Sequence, residues 1–214
     1  MNIKGIIFDL DGVICSTDEY HYQAWKSLAD ELGIYFDRSI NDRLRGVSRM
    51  ASLDIILERS EKQYTEEEKI QLAEIKNTRY VELLQYLTPD DILPGIGDFL
   101  KKCHENGIKT ALASASRNAP FIIRRLGLED DFDFIADAAK VKNTKPAPDI
   151  FLAAAEGLQL DPAVCIGIED AAAGIEAIHA AGMKAIGIGS GETLSEADIL
   201  LDRTAELSQI KLLV

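Results

Sequence analysis

The spacing of apolar residues changes character along the chain. Residues 3–9, IKGIIFD, form an apolar, β-branched run that ends on an aspartate and leads to Gly12, which predicts a strand closed by a turn. From about Thr17 to Leu87 the spacing is helical. In EYHYQAWKSLADELG the residues Ala24, Trp25, Leu28, Ala29 and Leu32 share one face, and Gly33 supplies a stop. Thr65 and Glu68 have the form of a capping box, opening a helix to Leu87 whose stripe is Ile70, Ala73, Tyr80, Leu84 and Leu87. Beyond TPDDILPGIG, strand-like segments at 109–114, 133–137, 164–168 and 184–189 alternate with helical stretches at 118–126, 148–158 and 171–181.

Strand–helix alternation of this kind predicts an α/β fold, a Rossmann-like parallel sheet with helices on both faces. The first strand joins the later ones, so residues 1–15 and 92–214 form the core domain and residues 16–91 a helical cap domain inserted into it. Ligands of such sheets bind at the carboxyl ends of the strands, near the point where strand order reverses.

Composition narrows the possible partners. The 214 residues are 47% hydrophobic, enough for a sizeable core, and carry a formal net charge of −13. That charge argues against nucleic acid or an anionic membrane surface, both of which need a basic footprint. An anionic small substrate is compatible if a few cations or a metal ion are concentrated locally. The cysteines, Cys15, Cys103 and Cys165, are odd in number and lack CxxC spacing, as suits free thiols. MNIKG passes straight into the first strand without a signal pattern, and no segment reaches the ~20 apolar residues of a membrane helix. The expectation is a soluble, cytoplasmic monomer.

The polar outliers then gather at strand ends: Asp9 and Asp11 after the first, Ser114 and Ser116 after the second, Lys145 beyond the third, and Glu169–Asp170 after VCIGI. Burying an unpaired carboxylate costs several kcal/mol, so these aspartates need partners. Alternation puts Asp9 and Asp11 on one side of an extended segment. One of two adjacent carboxylates can act as nucleophile while the other handles the proton. Phosphoryl transfer suits such a pair, because catalysis there is mostly positioning and charge neutralisation. Several carboxylates at one edge also call for a hard cation, and Mg²⁺ with Asp9, Asp170 and Glu169 as ligands fits that need. Lys145 would offset phosphoryl charge, and Ser114 with nearby backbone N–H groups would hold the oxygens. The GIGSG run (187–191) lacks the dinucleotide-binding spacing and reads as a turn.

The ordered set DLDGV (9–13), the strand ending in Ser114, Lys145 in KPAPD, and GIEDAAAG (167–174) resembles the haloacid dehalogenase-like superfamily of phosphotransferases. The resemblance implies an aspartyl-phosphate on Asp9, Asp11 as general acid/base, and Mg²⁺ held by Asp170 and the backbone carbonyl of Asp11. EYHYQAWK, GVSR (46–49), KN (76–77), LASASRN (112–118) and TKPAPDIF (144–151) are further similar to the sugar-phosphate mutases of that superfamily. That likeness implies interconversion of β-glucose 1-phosphate and glucose 6-phosphate, with β-glucose 1,6-bisphosphate as activator and intermediate. It also implies that Arg49 grips the phosphate not being transferred, aided by Ser116, Arg117 and Asn118, with Ala115, Gly46 and Ser52 as further contacts. His21 and Lys76 would support sugar recognition and the placement of Asp11, and Trp25 would form pocket wall. From spacing alone, Lys76 falls at the edge of its helix stripe, where an amine reaching out to solvent explains it. Two positions depart from the pattern: Ser16 stands where an aspartate is usual, and Arg117 where lysine is usual. A phosphatase on the same core is the alternative, and a phosphosugar-binding protein a more distant one.

Overall fold

The apolar run at the start of the chain becomes β1 (Gly5–Phe8), every residue of it buried, as a strand with neighbours on both sides and helices on both faces requires. In the computed structural model, which describes residues 3–44 and 47–210, the chain continues through α1 (Asp18–Glu31), α2 (Arg38–Asp42), α3 (Arg49–Leu57), α4 (Glu66–Leu84) and α5 (Ile96–Glu105). Alternation follows: β2 (Lys109–Leu112), α6 (Ala119–Leu126), β3 (Phe134–Ile135), α7 (Asp149–Leu158), β4 (Cys165–Glu169), α8 (Ala172–Ala180), β5 (Lys184–Ile188) and β6 (Ile199–Leu201). All strand pairings are parallel, in the order β3-β2-β1-β4-β5-β6. The order reverses at β1, between β2 and β4.

The chain divides into two compact units, Met1–Ser16 with Thr88–Val214, and Thr17–Leu87. In the first, Ile7 of β1 joins Ala111, Phe151, Leu158 and Ile178 in one buried cluster. Phe8 points to the opposite face by the strand's period of two, where its ring meets Phe99 and Phe132 edge-on at 6.1 and 5.8 Å. The second unit is helical and closes around Trp25, Leu28, Phe36, Leu53, Ile56 and Ala73. Its α4 opens on the capping box: the Glu68 N–H donates to Thr65 Oγ1 at 3.2 Å and the Thr65 N–H to Glu68 Oε2 at 2.8 Å.

The structure differs from the pattern in particular places. Ile70 keeps the register of the α4 stripe but is 55% exposed, standing in the helix's acidic opening turns. Leu87 lies past the helix end yet is fully buried. Strand β6 is absent from the periodicity because only three residues pair, at a sheet edge with a single neighbour. Among the described residues, no helix is long and apolar enough to cross a membrane. The three cysteines are buried free thiols.

Candidate active site

Sheet register places the first unit's polar groups. Phe8 lies level with Leu112 of β2 and Ile168 of β4, so the residues that follow all three leave the sheet at one edge. Two more ladder bonds hold the exit of β1: the Asp9 N–H donates to Ile168 C=O at 2.9 Å, and the Ala113 N–H to Phe8 C=O at 2.7 Å. Asp9 is therefore rigidly mounted between Ala113–Ser114 and Glu169. Beyond it the chain curls tightly, with Ile14 N–H bonded to Leu10 C=O and Gly12 N–H to Cys15 C=O, both at 2.8 Å.

Lys145 is the partner that the buried carboxylates require. It comes from the long connection between β3 and α7, and the Lys145–Pro146 peptide is cis. Its Nζ donates to Asp9 Oδ1 at 2.5 Å and to Glu169 Oε1 at 2.6 Å, with side-chain exposures of 6% for the lysine, 11% for Asp9 and 3% for Glu169. The other oxygen of Glu169 accepts from the Asp170 and Ala171 N–H groups, both at 2.8 Å. Burial pushes the Asp9 carboxyl up to about 7 from an ordinary value near 3.8; Lys145 opposes the rise, while Glu169 and Asp11 add to it. For Lys145, burial works against the charge, but Asp9 and Glu169 more than compensate and hold the amine above its usual range. The lysine is a fixed cation, and one more positive group at this edge would favour an ionised Asp9.

Two glycines let the carboxylates come this close. A Cβ on Gly12, whose φ is +77°, would lie 2.0 Å from Asp170 Oδ2, and one on Gly174 would lie 1.9 Å from Glu169 Oε1. The glycines of DGV and of EDAAAG are thus the space that Asp170 and Glu169 occupy, a requirement that the motif spacing contains without showing why. Asp9, Glu169 and Asp170 each offer an oxygen within 4.8 Å of the others. An all-oxygen donor set of that size fits a hard divalent cation such as Mg²⁺. Asp11 and Asp170 are half-buried at the same edge.

The serine loop continues the rim. Ser114 is buried, 4% exposed, and its Oγ accepts from the Ser116 N–H at 3.1 Å; Ser116 Oγ accepts from the Asn118 N–H at 3.2 Å. Ala115 and Arg117 are exposed, and Ser116 and Asn118 half-buried. These turns direct successive hydroxyls and N–H groups along one short stretch before α6.

The second unit carries its own polar group. Lys76 does not reach out to solvent: it is 2% exposed on the inner face of α4, with Nζ 4.6 Å from the ring centres of both Trp25 and Tyr80. The same Nζ lies 2.8 Å from His21 Nδ1. Burial, then the charges of Lys76 and Arg49, hold His21 well below the ordinary histidine value, so the ring is neutral. A neutral imidazole that accepts from an ammonium at Nδ1 carries its proton on Nε2, which leaves a fixed N–H donor on the far side of the ring. Tyr80 braces the arrangement, its ring 4.0 Å from that of His21 and its hydroxyl donating to Thr17 Oγ1 at 2.9 Å. Sequence reasoning missed Thr17 and Tyr80; the buried polar end of Tyr80 in an otherwise apolar stripe is the signal that could have found them. Arg49 opens α3, where Ser48 Oγ accepts from the Ala51 N–H at 3.3 Å, and Ser52 is buried in the helix's first turn. Gly46 lies outside the described residues.

Comparison with known proteins places these features in a family. A family model described as haloacid dehalogenase-like hydrolase matches residues 3–182. The β-phosphoglucomutase of Bacillus subtilis is 50% identical over 208 residues, covering 96% of this chain and 92% of that protein. A phosphorylated-carbohydrate phosphatase of Thermotoga maritima is 32% identical over 206 residues, 95% of this chain and 92% of its own. A crystal structure of β-phosphoglucomutase from Clostridium difficile aligns with a TM-score of 0.91 at 51% identity, over 98% of this chain and 93% of that one.

Proposed function

The chain belongs to the haloacid dehalogenase-like hydrolase family, and from that premise we propose that it interconverts β-glucose 1-phosphate and glucose 6-phosphate, with Asp9 as the phosphoryl carrier and β-glucose 1,6-bisphosphate as intermediate and activator. The observation that carries the reading is the Lys145 ammonium bridging Asp9 and Glu169 at the sheet edge, in a chain half identical to a β-phosphoglucomutase along nearly its whole length. The acid–lysine edge supports phosphoryl transfer, and the full-length likeness, helical unit included, supports the glucose phosphates as substrate.

In this scheme an Asp9 carboxylate oxygen attacks phosphorus of the bisphosphate. The bond to the sugar oxygen breaks, Asp11 delivers a proton to that oxygen, and an aspartyl-phosphate remains. The sugar monophosphate leaves. When β-glucose 1-phosphate binds, Asp11 withdraws the proton from its 6-hydroxyl as that oxygen takes the phosphoryl group, which restores Asp9 and regenerates the bisphosphate. Turned over, the bisphosphate gives up its 1-phosphate to Asp9 and leaves glucose 6-phosphate. Lys145 balances the charge on the transferring oxygens. Ser114, with Ala115, Ser116, Arg117 and Asn118, contributes hydroxyl, N–H and cationic groups to phosphate. In the helical unit, the proposed cap, Arg49, Ser52 and Gly46 hold the second phosphate, while Trp25, Lys76 and the Nε2–H of His21 meet the sugar. Asp9, Asp170, Glu169 and the Asp11 carbonyl would hold Mg²⁺, which supplies further neutralisation of phosphate charge.

The test is to incubate the protein with β-glucose 1-phosphate, Mg²⁺ and a trace of the bisphosphate, following glucose 6-phosphate and inorganic phosphate separately. Glucose 6-phosphate as the main product is expected, and Asp9→Asn removes it while leaving the circular dichroism spectrum unchanged. Inorganic phosphate as the main product identifies a phosphatase. No turnover of any sugar phosphate overturns the enzymatic reading.

A further inference from the structure

The helical unit holds an acid that the proposed reaction does not use. Glu74, on α4, has its Oε1 3.0 Å from Arg49 Nη1, with side-chain exposures of 64% for the glutamate and 25% for the arginine. A nearby anion is favourable for Arg49, which occupies the first position of the nine-residue helix α3, where the helix's own partial charge is positive. Arg49, Lys76 and the α3 terminus are like-signed charges in one unit, and Glu74 is a carboxylate in ion-pair contact with Arg49.

We propose that Glu74 is a resident counter-anion that competes with substrate phosphate for Arg49 and thereby sets the affinity of the helical unit for the phosphorylated sugar. The inference rests on the reading of Arg49 as a phosphate contact. A phosphate dianion outcompetes a carboxylate for a guanidinium through its greater charge and its additional acceptor oxygens. The carboxylate is mostly solvated and moves away at little cost, so the pair behaves as a displaceable contact. Exposed pairs of this kind contribute little, equivalent to a factor of about two to five in an equilibrium constant. The geometry therefore points to a modest, continuous attenuation of affinity. Its effect falls on ground and transition states alike, since the distal phosphate is held through both, and it reads in KM.

The experiment is Glu74→Gln in the full-length protein, assayed with β-glucose 1-phosphate, Mg²⁺ and trace bisphosphate at low and moderate ionic strength. A two- to fivefold fall in KM is expected, smaller at higher salt, with kcat/KM rising accordingly. The same substitution in an Arg49→Ala background has no such effect, because the arginine over which the two anions compete is gone. An unchanged or higher KM in Glu74→Gln overturns the proposal, the higher value meaning that the glutamate positions Arg49 productively. If Arg49→Ala by itself leaves KM unaltered, the phosphate-contact reading of Arg49 has failed, a result distinguishable from a failure at Glu74. Binding of β-glucose 1-phosphate to Asp9→Asn protein with and without Glu74→Gln, by calorimetry, gives the same comparison without turnover.

Discussion

Replacing Lys145 with methionine keeps the stem and removes the charge. The three side chains of the bridge are 6%, 11% and 3% exposed, so the substitution leaves two carboxylates in a nearly dry site without the ammonium they share. Removing one partner of a buried ion pair costs about 3–5 kcal/mol. Against a total domain stability of roughly 5–15 kcal/mol, the loss is large enough to read in a urea titration. Its pH dependence follows from Asp9, whose carboxyl is already pushed up to about 7 from near 3.8 by burial with the lysine in place, and rises further without it. A carboxyl with a raised folded-state value favours the folded state below its unfolded value, and that contribution is lost as pH rises through the folded value. With the parent's Asp9 ionising near 7 beside the ammonium and the variant's only at higher pH, the deficit of Lys145→Met relative to the parent widens as pH rises from 7 to 8 in chelator. Millimolar Mg²⁺, bound only by the folded protein, restores part of it. A variant within about 1 kcal/mol of the parent at pH 8 without metal would falsify the view that one ammonium sustains both carboxylates.

Two other perturbations probe the neutral ring of the helical unit and the close approach at Gly174. Because His21 is held well below its ordinary value near 6.5, the unfolded chain takes up a proton there that the folded unit refuses. Stability is complete above pH 6.5 and falls as pH drops below it, by up to about 1.4 kcal/mol per unit from this group. His21→Gln should flatten the difference between melts at pH 7.5 and 5.5, and equal slopes for the two proteins would refute the assignment. Gly174→Ala inserts a Cβ 1.9 Å from Glu169 Oε1, so the carboxylate must leave Lys145, with an expected stability loss of about 1–3 kcal/mol and a sharp drop in turnover. Glycine-to-alanine changes inside a helix ordinarily stabilise by up to about 1 kcal/mol, so a stabilised, fully active variant contradicts the close approach.

Some of this site is legible in the sequence because a local pattern fails. Asp9 interrupts an apolar strand and Glu169 closes another, and a charge where the period demands a buried residue is visible without a structure. The parallel order is legible for a related reason, since helices interleaved with short apolar strands admit few other arrangements. Lys76 is different. On the α4 stripe it sits where either a solvated amine or a buried one satisfies the spacing, and the choice depends on Trp25 and His21, some fifty residues away in the chain. Glu74 carries no signal at all, being one acid among many on an exposed helix face; only the fold puts it beside Arg49. The short β6 escapes for want of length, its pairing decided by β5 and not by its own three residues.

The chain leaves the first unit after Ser16 and re-enters it at Thr88. On the side of that unit, the two ends are held together: Leu93 N–H donates to Ile14 C=O at 2.9 Å, and Cys15 bridges to Ile92 in antiparallel fashion. Antiparallel partners stand about 5 Å apart, so for the sheet the whole helical unit is topologically no more than a hairpin turn. Whatever is spliced between those ends adds little to the closure entropy of the rest, which grows only logarithmically with loop length. The consequence is evolutionary. The unit between those ends can be exchanged, shortened or rebuilt without renegotiating the folding of the sheet. Two stretches of one gene product are thereby joined at two adjacent points and are free to change separately.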